Sequence, residues 1–310
     1  MPSAFQKIAI VGSGAIGLYY GAKLAFAGAD VRFLMRGDLA AVRARGSIRL
    51  QGEGTTVELR PAAVFGTPDE IGPVDLVIVT LKTTANGEFP RLLPPLLGPR
   101  TAILTLQNGL GSDEHLAALF GAERVMGGLA FIATNRTGPG EVVCFHPGSV
   151  TLGEFGRPPA GRTRALAALF EAAGVKTSVV ENLFAARWRK LVWNIPFNGL
   201  AVVHRCATDR LCVDPALAAE VRALMREVQA AAGRLGFAIP DEFLRQQYDV
   251  TPPMGAYRPS SLVDFLAGRE VEVEAIWGEP LRRARAAGAE TPRLEKLYGE
   301  LKGLAAQRGA

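Results

Sequence analysis

Apolar residues along this chain follow one pattern up to about residue 181 and another beyond it. In the first stretch, short apolar runs alternate with helical segments. KIAIVGSG (7–14) begins with a continuous apolar run, the mark of a strand covered on both faces. AIGLYYGAKLAFAG (15–28) predicts a helix ending at Gly28. DVRFLMR (30–36), VDLVIVTLK (74–82) and TAILTLQNG (101–109) repeat the strand pattern, each running into polar residues. Ser112 followed by two acids predicts the start of a helix over 112–120. VMGGLAFIA, EVVCF and SVTLGEFG predict further strands within 125–156, with Gly138-Pro139-Gly140 as a turn between two of them. RTRALAALFEAAG (162–174) predicts a helix and VKTSVV (175–180) a strand. Such alternation predicts an α/β fold with a mostly parallel, doubly wound sheet. Beyond Glu181 the chain reads as all-α: helices over 182–203, 214–236, 240–247 and 270–287, a Pro/Gly-rich loop TPPMGAYRPSS (251–261), and a last helix after Pro292. The change predicts two domains, 1–181 and 182–310.

Composition narrows the function classes. A chain of 310 residues, 48% hydrophobic and 21% charged, has the balance of a globular protein. No apolar run of about 18 residues occurs, so no membrane span is expected. The opening MPSAFQKIAIVGSG leaves no room for a signal peptide. Cys144, Cys206 and Cys212 are scattered, as are His115, His146 and His204. This spacing suits a reducing, cytoplasmic setting and predicts neither disulfides nor a metal site. The net charge of +5 is spread among acids without a basic cluster, so no nucleic-acid partner is expected, whereas anionic small ligands would suit it. The amphipathic stretch 214–236 could pack in the core or against a second copy, which leaves a homodimer open.

The loop after the first strand carries chemistry. Gly12-Ser13-Gly14-Ala15-Ile16-Gly17 fits G-x-G-x-x-G between a buried strand and a helix, the context in which that pattern binds a dinucleotide. The first glycine permits the tight turn, the second lets the backbone approach a pyrophosphate, and the third lets helix pack on strand. The second strand ends Met35-Arg36-Gly37, with no acid before Asp38. An arginine there pairs with a 2′-phosphate, which favours NADP over NAD. Lys82 and Asn108 follow two other strands at the carboxyl edge, where α/β sheets bind ligands.

RWRKLVWNIPFNG (187–199) is mostly apolar, yet it spaces Lys190, Asn194 and Asn198 four apart around Pro196. On a regular helix that series drifts only about 80° around the axis, giving one polar stripe. Together VGSGAIG, LMR, VTLK, TLQNG, RWRKLVWNIPFN and SSLVDFLAGREVEVEAIWG resemble, in order along nearly the whole chain, the ketopantoate reductase (2-dehydropantoate 2-reductase) family. The resemblance implies a Rossmann domain followed by a helical domain similar to that of 6-phosphogluconate dehydrogenase. It implies reduction of ketopantoate by NADPH on the route to pantothenate and coenzyme A. Lys190 and Glu272 would be catalytic, and Asn194, Asn198 and Ser260 would bind substrate. Arg36 and Lys82 would hold the adenosine phosphate, with Asn108 beside the nicotinamide. Some members carry another asparagine after the helix, and Thr208 is the nearest polar match here.

The chemistry fits the stripe: a cation beside a reacting carbonyl stabilises the developing alkoxide and donates its proton. Pro196 predicts a bend. Glu270, Glu272 and Glu274 cannot share one helix face, and only the register of the resemblance selects Glu272. Two other readings keep the dinucleotide fold: a reductase for another 2-keto or β-hydroxy acid, and a non-catalytic NADP sensor.

Overall fold

The computed structural model describes residues 5–52 and 54–309. The chain divides into two compact units, one of residues 1–107 and 112–183, the other of 108–111 and 184–310. The first unit is built on ten strands: β1 (Lys7–Val11), β2 (Asp30–Leu34), β3 (Ile48–Gly52), β4 (Thr55–Leu59), β5 (Val64–Phe65), β6 (Val74–Val79), β7 (Leu97–Thr105), β8 (Val125–Gly138), β9 (Glu141–Glu154) and β10 (Lys176–Val179). They form one sheet in the order β4-β3-β9-β8-β7-β6-β1-β2-β5, with β10 beside β9. From β5 to β8 the neighbours are parallel, and connection runs outward in opposite directions from β1 and β6. That is the switch point of a Rossmann-type sheet.

The continuous apolar runs are explained by burial on two sides. Ile8 and Ile10 of β1 and Leu76 and Ile78 of β6 face a core shared with Leu18, Tyr20 and Leu24 of α1 (Ala15–Phe26). Ala9, Val11, Val77 and Val79 face the opposite core. That second layer includes the short helices α3 (Pro68–Ile71), α4 (Phe89–Leu92) and α5 (Ser112–Phe120) in part, with Phe89, Leu93 and Leu116 buried there, while α2 (Leu39–Arg45) brings Val42 to the first core. α6 (Gly161–Ala172) brings Leu166 and Phe170 to the first core.

One expectation for this unit needs correction. EVVCF and SVTLGEFG are not separate strands but parts of β9, which pairs antiparallel with β8 across the Gly138–Gly140 turn. The register slips between Phe131 and Thr134, so one strand continues past Pro147 instead of breaking. The first half of β9 pairs with β3 and the second half with β10. The sheet is mostly parallel, as expected, with β8–β9 and β3–β4 antiparallel. The segment 48–65 carried no legible strand pattern because β4 is exposed along most of its length.

The second unit is helical: α7 (Leu183–Trp193), α8 (Gly199–His204), α9 (Thr208–Val213), α10 (Pro215–Arg234), α11 (Asp241–Asp249), α12 (Ser260–Leu266), α13 (Glu279–Ala286) and α14 (Pro292–Gly309). The apolar face of α10, including Val221, Leu224, Met225 and Val228, packs in this unit's own core. The helix expected over 182–203 is not regular. Asn194–Asn198 forms a π-helical turn between α7 and α8, and a second π turn, Glu274–Gly278, precedes α13. Proline has no N–H to donate, and an i→i+5 turn lets a carbonyl that lacks its i+4 donor reach the next one. The expected bend at Pro196 is thus a widened turn. Among the described residues, no helix is long and apolar enough to cross a membrane.

One buried carboxylate joins β9 to α6. Glu154 is wholly enclosed, with Arg162 Nη2 at 2.6 Å, Arg157 Nη2 at 3.0 Å and the Thr163 hydroxyl donating at 2.6 Å. Burial alone would raise its pKa, but Arg162, Thr163 and Arg157 outweigh that and hold it below the ordinary glutamate range. Because both arginines are partly exposed, Glu154→Gln should cost about 2 kcal/mol in urea unfolding at pH 7. The difference from the wild type should hold above roughly pH 5 and close as acid protonates the carboxyl through its lowered folded value.

Candidate active site

The loop leaving β1 is shaped by three glycines with different demands. Gly12 sits at φ +106°, and a Cβ there would lie 2.4 Å from the Leu81 nitrogen. A Cβ on Gly17 would lie 2.2 Å from the Gly12 oxygen, where α1 leaves the strand. Gly14 has an extended backbone that any residue adopts, and a Cβ there would meet nothing within 4 Å. Its outer side is open, as close approach of a pyrophosphate requires. No side chain caps α1, so its first N–H groups and their partial positive charge are available to an anion. The loop is held from both sides: Thr80 Oγ1 donates to the Gly12 oxygen at 2.5 Å, and Ser13 Oγ to the Leu34 oxygen at 2.9 Å. Ser13 thus has a hydrogen bond within the fold, while Ala15 and Ile16 form the first turn of α1.

Arg36 follows β2, is exposed, and makes no ion pair with another described residue. The nearby acid, Asp38, is turned away from it: Arg136 Nη2 lies 2.6 Å from its carboxylate, and the Gly140 N–H donates to it at 2.9 Å. Lys82 is exposed in the loop after β6. Gln107, which the sequence reading passed over, is buried after β7 and donates to the Leu81 oxygen at 2.9 Å and the Asn86 oxygen at 2.8 Å. Asn86 donates in turn to Ser112 Oγ at 3.0 Å, so the loops after β6 and β7 are fixed together.

In the second unit, residues 108–111 pack with the helices. Asn108 Oδ1 accepts a hydrogen bond from Lys190 Nζ at 2.8 Å. Lys190 is half-buried on α7, and its pKa is pushed down to about 7. Burial is the main cause and Arg187 acts in the same direction, while Glu272 opposes both. Arg187 is the residue the sequence reading missed: it stands one helical turn before Lys190 and is only 4% exposed. Its signal was in plain view, a second cation three positions ahead on an apolar helix.

The expected helix over 270–287 begins only at Val273. Glu270 and Glu272 precede it, so the expectation that three glutamates compete around one helix is corrected. Burial separates them: Glu272 is 6% exposed, Glu270 lies exposed, and Glu274 bonds Arg282 at 2.9 Å and the Tyr298 hydroxyl at 2.7 Å. Asn194 is buried, and its amide has no hydrogen bond to another described residue. Asn198 is buried as well, but its Oδ1 accepts from the Ser261 N–H at 3.1 Å, joining the first π turn to the start of α12. Ser260, beside it, is exposed. The Thr208 hydroxyl donates to the Gly255 and Tyr257 oxygens at 2.9 and 3.2 Å, so it anchors the 255–257 loop. No group of three His, Cys, Asp or Glu side chains able to hold a metal occurs among the described residues.

A Rossmann-type sheet with an open glycine loop, joined to a helical unit that holds a lysine among an amide and a carboxylate, defines an oxidoreductase. Two family profiles match the chain, Ketopantoate reductase PanE/ApbA over residues 8–157 and Ketopantoate reductase PanE/ApbA C terminal over 182–305. A 2-dehydropantoate 2-reductase of Nostoc sp. is 38% identical, the match covering 96% of this chain and 94% of that one. The crystal structure of 2-dehydropantoate 2-reductase from Geobacter metallireducens is 43% identical with a TM-score of 0.93, over 96% of this chain and 99% of that one. That of Methylococcus capsulatus is 34% identical with a TM-score of 0.90, over 98% of each. The chain belongs to the ketopantoate reductase family.

The two kinds of glycine should separate in experiment. Gly14→Val should leave the thermal midpoint nearly unchanged yet weaken dinucleotide binding at least about tenfold, measured by calorimetry. Gly17→Ala should lower the midpoint itself, because its methyl would collide with backbone.

Proposed function

We propose that this enzyme reduces the keto group of 2-dehydropantoate with NADPH, with Lys190 as proton donor. The observation that carries the reading is the Lys190 ammonium, half-buried, bonded to Asn108 at 2.8 Å and poised at about pH 7. A proton donor is most useful when its pKa lies near the working pH.

The dinucleotide would lie on residues 12–17, its pyrophosphate at the α1 N-terminus. Arg36 and Lys82 supply positive charge for the adenosine phosphate. NADPH is favoured over NADH because Arg36 is unpaired among the described residues and the competing Asp38 is engaged by Arg136. Bound NADPH would supply the hydride. Lys190, protonated, stabilises negative charge on the substrate oxygen and passes its proton there. Asn108 orients the lysine and would be the contact for the nicotinamide. Glu272 offsets a positive charge that Arg187 and burial would otherwise expel. The open amide of Asn194 and the Nδ2 of Asn198 bond the substrate's hydroxyl and carboxylate, and Ser260 adds a hydroxyl for the carboxylate. The product would enter pantothenate and coenzyme A synthesis, and the three free cysteines suit a cytoplasmic location.

The test is NADPH oxidation with ketopantoate, measured side by side for wild type and Lys190→Ala. The variant should lose about 100-fold or more in kcat. The free-enzyme profile of kcat/KM for reduction should be flat on the acid side and fall as pH rises through about 7, since only protonated Lys190 donates. Equal rates on plain 2-oxo acids would refute the substrate, because a site built to bond a hydroxyl rejects analogues lacking it. Arg36→Ala should raise the KM for NADPH about tenfold or more while leaving that for NADH nearly unchanged.

A further inference from the structure

The two π turns of the helical unit are joined by one buried hydrogen bond. Trp277 Nε1–H donates to the Ile195 carbonyl oxygen at 3.0 Å, and Trp277 is wholly buried. Ile195 lies in the turn that carries Asn194 and Asn198, five residues after Lys190. Trp277 lies in the other turn, five residues after Glu272. A third backbone meets them there. The Leu110 N–H donates to the Ala275 oxygen at 2.9 Å, and Gly109, at φ +77°, lies so close that a Cβ would come within 2.3 Å of that oxygen. Asn108, Lys190, Asn194 and Glu272 thus hang from three chain segments that converge on residues 275–277.

A core position needs only apolar volume, which phenylalanine or leucine supplies. An indole adds a single donor in a fixed direction, and at a position closed to bulk solvent that donor is best satisfied by one fixed acceptor. We propose that Trp277 is a positioning residue, its indole N–H held on the Ile195 carbonyl to set the spacing between the Lys190 helix and the Glu272 segment. Its kinetic consequence rests on the keto-acid reductase reading, but its structural consequence does not.

The test follows Lys190 directly, by NMR titration of its ε-methylene, assigned through its loss in Lys190→Met. The wild-type midpoint is expected near 7. In Trp277→Phe the loosened register admits water to a lysine whose proton affinity is lowered chiefly by burial, so the midpoint should rise by about one unit or more. Displacement of reacting groups by a fraction of an ångström to an ångström should lower kcat about tenfold or more, with a smaller change in KM. NADPH affinity should fall less than kcat does, since the phosphate-holding residues proposed for it lie on the other unit. Trp277→His, which keeps a ring N–H, should recover part of both effects. Leu244→Ala removes buried packing on α11, an element that carries neither partner of the bond; it should lower the unfolding midpoint but leave the titration and kcat unchanged.

A folded Trp277→Phe with wild-type titration and kcat overturns the proposal, as does a Leu244→Ala variant that reproduces its changes. So does rapid solvent exchange of the Trp277 indole proton in the unmodified chain, a measurement that needs no variant. An enzyme inactive on ketopantoate whose Lys190 titration still moves in Trp277→Phe keeps the positioning role and refutes the substrate. Full ketopantoate activity in the folded variant does the reverse.

Discussion

An ammonium group taken partly out of water has to be answered by polar groups within reach, and in this chain that demand falls on Lys190. Burial and Arg187 both press it toward neutrality; Glu272 and the Asn108 oxygen keep the charged form accessible. The result is a lysine near the middle of the physiological range instead of well above it. The four groups come from three separate stretches of chain: α7, the strap at 108–111, and the segment just before Val273. Much of the architecture of the helical unit serves to hold those stretches in fixed relation.

The π turns serve that purpose. On an uninterrupted α-helix, each four-residue step overshoots a full turn, and the stripe of Lys190, Asn194 and Asn198 would drift steadily around the axis. A wider turn holds more residues, so the same step falls short and opposes the drift. Pro196 makes this arrangement favourable, since an α-helical continuation would strand a carbonyl. The Ile195 carbonyl accepts from the Gly199 N–H and from the Trp277 indole as well, so the element that aligns the stripe also fastens it to its neighbour.

The dinucleotide-binding unit meets a simpler demand. A strand buried on both faces has to give way to a helix within a few residues, and the turn must stay bare enough for an anion to reach its N–H groups. Gly12 and Gly17 answer the first requirement, and Gly14 answers the second. Thr80 and Ser13 then hold the loop from the ends of β6 and β2, so its shape exists before any ligand arrives. The pairing of Asp38 with Arg136 leaves Arg36 as the charged group exposed after β2.

How much of this was legible follows from the range of the forces involved. The glycine loop, the two-sided strands and the four-residue spacing of Lys190, Asn194 and Asn198 could be read directly. Each expresses a rule acting between near neighbours: a steric limit on φ and ψ, burial of alternate residues, or helical periodicity. β9 was misread as two strands because a register slip past Pro147 has no fixed mark in local pattern, whereas the turn before it was legible. Glu272 could not be told from Glu270 or Glu274 by spacing, and only burial ahead of the true helix start distinguishes it. The Asn108–Lys190 bond spans 82 positions, as does the bond from Trp277 to Ile195. The amino-acid order by itself determined which residues could do the chemistry. Which carboxylate answers the lysine, and how far its proton affinity falls, were decided by the tertiary structure, because solvation and charge compensation depend on what is near in space.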